Sequence, residues 1–394
     1  MDRAKLLSTT PNTPTSRRRG FLVALSLPGQ PGFLVEEHLD ELAELTRSAD
    51  VEVLGRAIQQ RRSPDPGTFI GRGKAAELRE AARTLEADLV IFDDDLSPSQ
   101  IKNLEEILEL AVMDRSGLIL EIFFQRARTR EARTQVELAQ LQYLLPRLTR
   151  RWSHLSRQVG GIGVRGGEGE TQLEADRRML RKRIKRLQRQ LDKIERTRGV
   201  QRRGRREASL VALAGYTNAG KSTLFNQITR AGTRVEDRLF ATLDSKLRRG
   251  AIGDDKVVIF ADTVGFIRKL PHHLVASFKS TLEELNRADV VLHVVDRSHP
   301  SWDEQLAVAE EVLEELGVES QRVIQVFNKS DLLSETVRRA RSRDDDPPRG
   351  KAVWVSALTG DGLEDLKTEI THRLDQLETT PAEHPANTDR LALP

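Results

Sequence analysis

One octapeptide constrains the fold of this chain more than any other feature. Gly215-Tyr216-Thr217-Asn218-Ala219-Gly220-Lys221-Ser222 has the spacing GxxxxGKS, and it stands between an apolar run, Leu210–Ala214, and a segment that opens a helix. In such a strand-loop-helix unit the glycines let backbone N–H groups converge on phosphate oxygens, and the helix N-terminus adds partial positive charge. Lys221 is then expected to reach the β- and γ-phosphates, and the Ser222 hydroxyl to bind Mg²⁺. A loop of this kind needs an α/β sheet behind it. Apolar runs at Val257–Ala261, Val290–Val295, Val323–Phe327 and Ala352–Val355 supply the further strands.

Several of those runs end in a segment suited to a nucleotide. Asp262-Thr263-Val264-Gly265 closes the second strand, where a carboxylate can hold Mg²⁺ through water and Gly265 can offer its N–H to a γ-phosphate. Asn328-Lys329-Ser330-Asp331 has the form NKxD. Its terminal carboxylate accepts hydrogen bonds from guanine N1–H and the 2-amino group, and adenine would leave that carboxylate unpaired. Ser356-Ala357-Leu358 follows the next strand and is placed to give a backbone N–H to guanine O6. Phe240-Ala241-Thr242-Leu243-Asp244 lies between the phosphate loop and Asp262, and Thr242 is the candidate for a second hydroxyl ligand of Mg²⁺. The expected ligands are GTP, GDP and Mg²⁺, with Lys221, Thr242 and Gly265 acting on the γ-phosphate. The slot after Gly265 holds Phe266, where many such enzymes carry a glutamine that orients the attacking water. A phenyl ring cannot move a proton, so hydrolysis by the free protein is expected to be slow and to depend on a partner.

The rest of the 394-residue chain divides by pattern and by charge. Residues 1–19 are polar and read as a disordered tail. Residues 20–113 alternate between strands and helices: Phe21–Leu27, Val51–Leu54, Leu89–Phe92 and Ala111–Met113 as strands, with Val35–Leu45, Lys74–Leu85 and Ser97–Leu108 as helices. That alternation predicts a small α/β domain with a parallel-rich sheet. Residues 114–207 form a basic segment. From Arg126 to Glu207 there are 24 Lys and Arg against 9 Asp and Glu, a charge of +15 that leaves −12 for the remainder of a chain whose total is only +3. Leu138, Leu141, Leu145 and Leu148 share one helical face, as do Leu173, Leu180, Ile184, Leu187, Leu191 and Ile194. Two narrow apolar stripes predict an antiparallel helical hairpin with a Gly-rich tip at 160–170 and charge on its outer faces. Residues 208–376 then form the nucleotide domain and 377–394 a tail. With no cysteine and no apolar stretch approaching the ~18–20 residues that span a bilayer, a cytoplasmic setting is expected.

The ordered set of motifs resembles the translation-factor-like GTPases. Asp237–Asp244 (DRLFATLD), Ala261–Pro271 (ADTVGFIRKLP), Ser280–Leu285 (STLEEL) and Gly160–Glu174 (GGIGVRGGEGETQLE) narrow the resemblance to the HflX family, over about residues 20–375. The resemblance implies an α/β N-terminal domain, a long helical hairpin and a G domain. It further implies a protein, monomeric by expectation, that binds the large ribosomal subunit and its rRNA and splits stalled or idle ribosomes, especially under stress. The tip departs from the family's Arg-Gly-Pro-Gly-Glu, reading Arg165-Gly166-Gly167-Glu168-Gly169-Glu170 without the proline. Two other outputs fit the same residues: a scaffold for large-subunit assembly, and ATP-dependent RNA remodelling through the N-terminal region, where Gly71-Arg72-Gly73-Lys74 precedes a helix. A turn with a helix cap is the expected role of that tetrapeptide. Tyr143 and Trp152 are expected to pack at the hairpin base rather than to stack on RNA, and His272-His273 to be polar surface.

Overall fold

The computed structural model describes residues 17–148, 172–203, 208–230, 239–240, 242–243, 246–252, 256–269, 284–333 and 352–379. The chain forms two compact units. Unit one takes in Met1–Gly204 together with Glu236–Asp244 and Arg268–Ser280, and unit two the remainder.

Unit one is built on a four-stranded, all-parallel sheet in the order β2-β1-β3-β4. Its strands are β1 (Arg18–Ser26), β2 (Val51–Gln60), β3 (Leu89–Phe92) and β4 (Ala111–Met113). The apolar run of β1 is buried along nearly its whole length, as expected of a strand covered on both faces. The strand begins two residues inside the segment that the sequence suggests is a tail. Arg18 pairs with Glu121 at 2.9 Å and Arg19 with Glu86 at 3.0 Å, so these charges fasten the strand instead of leaving it in solvent. Helices α1 (Gly32–Ser48), α2 (Arg72–Thr84) and α3 (Pro98–Leu108) cross between the strands. The start of α3 is set by a capping box in which Ser97 and Gln100 satisfy each other's backbone N–H, with Pro98 behind it.

Helix α4 (Arg115–Arg126), capped by Asp114, is not foreshadowed by the sequence pattern. Its run RSGLILEIFFQR is apolar almost all round, because it packs against α1, β3 and α5 at once, and such a run shows neither helical nor strand periodicity. Helix α5 (Arg130–Leu144) and the 32-residue α6 (Gln172–Arg203) then pair as the two apolar stripes predict. Leu138 and Leu141 meet Ile184 and Leu187, flanked by Leu145, Leu180 and Leu191. The expected Gly-rich tip at 160–170 lies outside the described residues.

Unit two is a six-stranded sheet in the order β10-β9-β8-β5-β7-β6. Five strands are parallel: β5 (Leu210–Ala214), β7 (Lys256–Asp262), β8 (Val290–Asp296), β9 (Val323–Asn328) and β10 (Val353–Trp354). The sixth, β6 (Lys246–Ile252), is an antiparallel edge strand whose polar sequence KLRRGAI conceals it. Helices α7 (Lys221–Thr229), α8 (Trp302–Glu315) and α9 (Leu363–Thr379) complete the unit. Val211, Leu213, Phe225, Phe260, Leu292, Val326 and Leu366 belong to its main core. Among the described residues no helix is long and apolar enough to cross a membrane.

Candidate functional site

Strand β5 is central in its sheet, and its buried residues Val211–Ala214 deliver the octapeptide at the C-terminal edge, where α/β sheets carry their ligands. Gly220 opens α7 with φ +91°, and a Cβ there would lie 2.2 Å from Asn328 Nδ2. That approach lets Asn328 donate to the Ala219 carbonyl at 2.8 Å while its Oδ1 accepts the Ala357 N–H at 2.9 Å. One buried side chain therefore fastens the phosphate loop to both the Asn328–Asp331 and Ser356–Leu358 segments.

Lys221 is buried and donates to the carbonyls of Gly215 at 3.0 Å and Tyr216 at 2.7 Å. Burial lowers its pKa to about 8, with Asp262 pulling the other way. His293 on β8 is buried nearby, and burial together with the Lys221 charge lowers it to about 4, so the ring is neutral. The Ser222 hydroxyl donates to Asp262 Oδ2 at 2.7 Å. Two hard oxygen donors side by side at the end of β7 suit Mg²⁺, which takes few protein ligands and completes its shell with water and phosphate oxygens. Among the described residues no group of three or more His, Cys, Asp or Glu is placed to hold a metal by itself.

Beyond Asp262, the Thr263 hydroxyl donates to the Leu213 carbonyl at 2.6 Å and Val264 is buried. Gly265 leads into Phe266, whose ring is 1% exposed and turned into the protein. At the other side of the sheet Lys329 is left-handed, with φ 61°, and its ammonium pairs with Asp296 at 2.7 Å. Asp331 accepts the Ser356 hydroxyl at 2.6 Å, and Ser330 N–H bonds the Val355 carbonyl at 3.2 Å. Leu358 is exposed. Asp296 is not singled out by any motif, although an acidic residue closing the strand beside β9 is the signal that marks it.

The remaining candidates sit in unit one. Thr242 and Leu243 are buried, and Phe240 stands edge-on to Phe123 with centroids 4.7 Å apart. Ala241, Asp244, Trp152 and His272-His273 lie outside the described residues. Tyr143 is buried at the hairpin base, its hydroxyl donating to Asp114 at 2.6 Å and Arg147 stacked 3.6 Å over its ring. Gly71 is the N-cap of α2 and gives its N–H to Gln59, while Lys74 pairs with Glu77. That segment is a turn and cap. On α6, Arg181, Lys182, Lys185, Arg186 and Arg189 are exposed, whereas Arg183 is tied to Glu137.

Three family profiles match in succession: GTP-binding GTPase N-terminal over residues 36–124, GTP-binding GTPase Middle Region over 126–205, and 50S ribosome-binding GTPase over 210–329. The chain is 48% identical to GTPase HflX of Magnetococcus marinus over 334 residues, 84% of this chain and 76% of that one. It is 48% identical to GTPase HflX of Escherichia coli over 340 residues, 86% and 79% of the two chains. Among solved structures, the SsGBP–GDP complex covers 91% of this chain and 99% of its own, with a TM-score of 0.50 and 24% identity, a likeness of fold.

Proposed function

The chain belongs to the HflX family of GTPases, and from that premise we propose that it couples GTP hydrolysis to separation of stalled or idle ribosomes, acting as a cytoplasmic monomer on the large subunit, above all under stress. Binding guanine nucleotide and hydrolysing GTP are properties of the family. The observation that carries the site assignment is Asn328, whose two bonds hold the phosphate loop and the two base-side segments as one assembly. In this reading the N–H groups of Gly215–Ser222 and the Lys221 ammonium take the phosphates, Asp331 accepts from guanine, and an N–H of Ser356–Leu358 meets guanine O6. Ser222 and Thr242 would hold Mg²⁺, with Asp262 behind it, and the ion would neutralise charge on the β- and γ-phosphate oxygens. Gly265 N–H faces the γ-phosphate.

The partner is inferred from charge and kinship. A +15 segment whose long helix exposes Arg181, Lys182, Lys185, Arg186 and Arg189 among other cations is an electrostatic footprint for RNA phosphate. The profile over residues 210–329 is that of ribosome-binding GTPases. Phe266, buried and unable to orient water, leaves the free enzyme slow, so a partner must supply what is missing. GTP turnover measured with and without large ribosomal subunits tests this: strong stimulation is expected, and equal rates would contradict it.

A further inference from the structure

Within unit two, His293 on β8 is a polar side chain set in an apolar interior. It is 1% exposed, and among the described residues neither ring nitrogen has a hydrogen-bond partner. A neutral imidazole carries one N–H donor and one bare acceptor, and leaving both unpaired in a core costs stability. The rest of the strand before Asp296 is valine and leucine, all buried. Packing alone would be served better there by leucine or phenylalanine, so the ring calls for a use.

Strand register places its neighbours. His293 is partnered by Ala214 on β5 and by Gln325 on β9, and side chains partnered in this way share one face at a strand spacing of about 4.8 Å. Ala214 leads into Gly215, whose carbonyl holds the Lys221 ammonium at 3.0 Å, and an added Cβ on Gly215 would lie 2.1 Å from the Val294 carbonyl oxygen. On the other side Gln325 is 6% exposed. Its amide donates to Glu310 of α8 at 3.2 Å, while its Oε1 is buried and has no partner among the described residues. The charged groups around the ring are therefore few. Lys221 comes from α7, with Asp262 of β7 attracting it, and Glu310 stands behind Gln325. Asp296 is already paired with Lys329, and α9 covers the opposite face, where Leu366 and Ile370 join Leu292 and Val294 in the core.

We propose that His293 is a proton-accepting positioning residue of the nucleotide site: when phosphates settle beside Lys221, the ring takes a proton from solvent and donates to Gln325 Oε1. The proposal rests on the assignment of Lys221 to the phosphates. In the free protein, burial and the Lys221 charge hold the ring at about 4, and it stays neutral. Phosphate oxygens cancel the cation that opposes protonation, and their surplus negative charge favours it. The protonated ring then has an unused acceptor one strand away. That bond would tie β8 to β9, the strand that ends in Asn328, and so brace the guanine side of the site when the phosphate side is filled. By linkage, nucleotide protonates the ring and protonation tightens nucleotide.

The test uses the full chain with its histidines labelled with nitrogen-15, observed by NMR at pH 5.5 with and without GDP and Mg²⁺. The His293 signals are those missing from His293→Gln, or from His293→Phe if the glutamine variant does not fold. Without nucleotide the ring should show one protonated and one bare nitrogen, and with GDP bound two protonated nitrogens. If the bound value returns to the ordinary histidine range, near 6.5, the wild type should gain about tenfold in affinity for fluorescent GDP between pH 8 and pH 5.5, over and above any change in the variant. A ring that stays neutral with GDP bound, or equal pH dependence in wild type and folded variant, overturns the proposal. Asp331→Ala tests the site by itself. If it abolishes the preference for guanine while the His293 ring stays neutral, the site assignment stands and His293 has no such role; if it changes nothing, the site assignment falls and takes the proposal with it.

Discussion

Lys221 shows how the site uses burial. Its ammonium is lowered to about 8 because burial outweighs the attraction of Asp262. A polyphosphate alongside favours the charged form and raises that value. Nucleotide binding should then take up a proton at pH values between the two, and affinity should fall as pH rises through about 8. Calorimetry in buffers of differing ionisation enthalpy should find uptake approaching one proton at about pH 9, and none for Lys221→Arg, which stays charged throughout. Phe266 makes the opposite point. The slot is filled by a ring packed inward, so Phe266→Gln should not speed hydrolysis. It should instead lower stability by about 1–3 kcal/mol, the cost of burying an unsatisfied amide, which thermal unfolding and single-turnover rates measure together. Residues whose chemistry follows from a spacing, such as Lys221, Asp262 and Asn328, are legible in the sequence. Asp296, Asp93 and Arg115 are not, because their roles come from partners 22 to 176 residues away or on a neighbouring strand.

At the scale of elements, the parallel strands β1, β3, β5 and β8 announce themselves as continuous apolar runs, since each is buried along nearly its whole length. Two elements escape for physical reasons. Strand β6 is a polar edge, and α4 is apolar on nearly every side, so neither presents a one-faced pattern. The hairpin is readable because it is thin: Leu187 and its neighbours make a single seam and leave the other faces to charge. On α6 that charge faces solvent at Arg181 and Lys185. The double reversal Arg181→Glu, Lys185→Glu should leave hydrolysis by the free protein unchanged. It should weaken binding to large subunits and flatten the dependence of log affinity on log salt by about one unit for each phosphate no longer neutralised, read by sedimentation over a salt series. A salt slope equal to that of the wild type would remove α6 from the RNA interface.

For the whole molecule, a total charge of +3 conceals +15 in residues 126–207 and −12 elsewhere. Positive charge is thus concentrated in one segment, and the acidic remainder opposes indiscriminate binding to polyanions. Phe240, Thr242, Leu243, Arg268 and Lys269 lie in sequence between stretches of unit two, yet belong to unit one with α4 and α5. No pattern along the sequence announces that arrangement, since it depends on Phe240 meeting Phe123 and Arg268 meeting Arg115. Whether GTP binding here is spent on separating ribosomal subunits is tested most directly by sucrose-gradient profiles of intact ribosomes mixed with the protein and a non-hydrolysable GTP analogue. The intact-ribosome peak is expected to give way to separated subunits, with the protein on the large one; a ribosome peak left undiminished while the protein is bound would contradict that role.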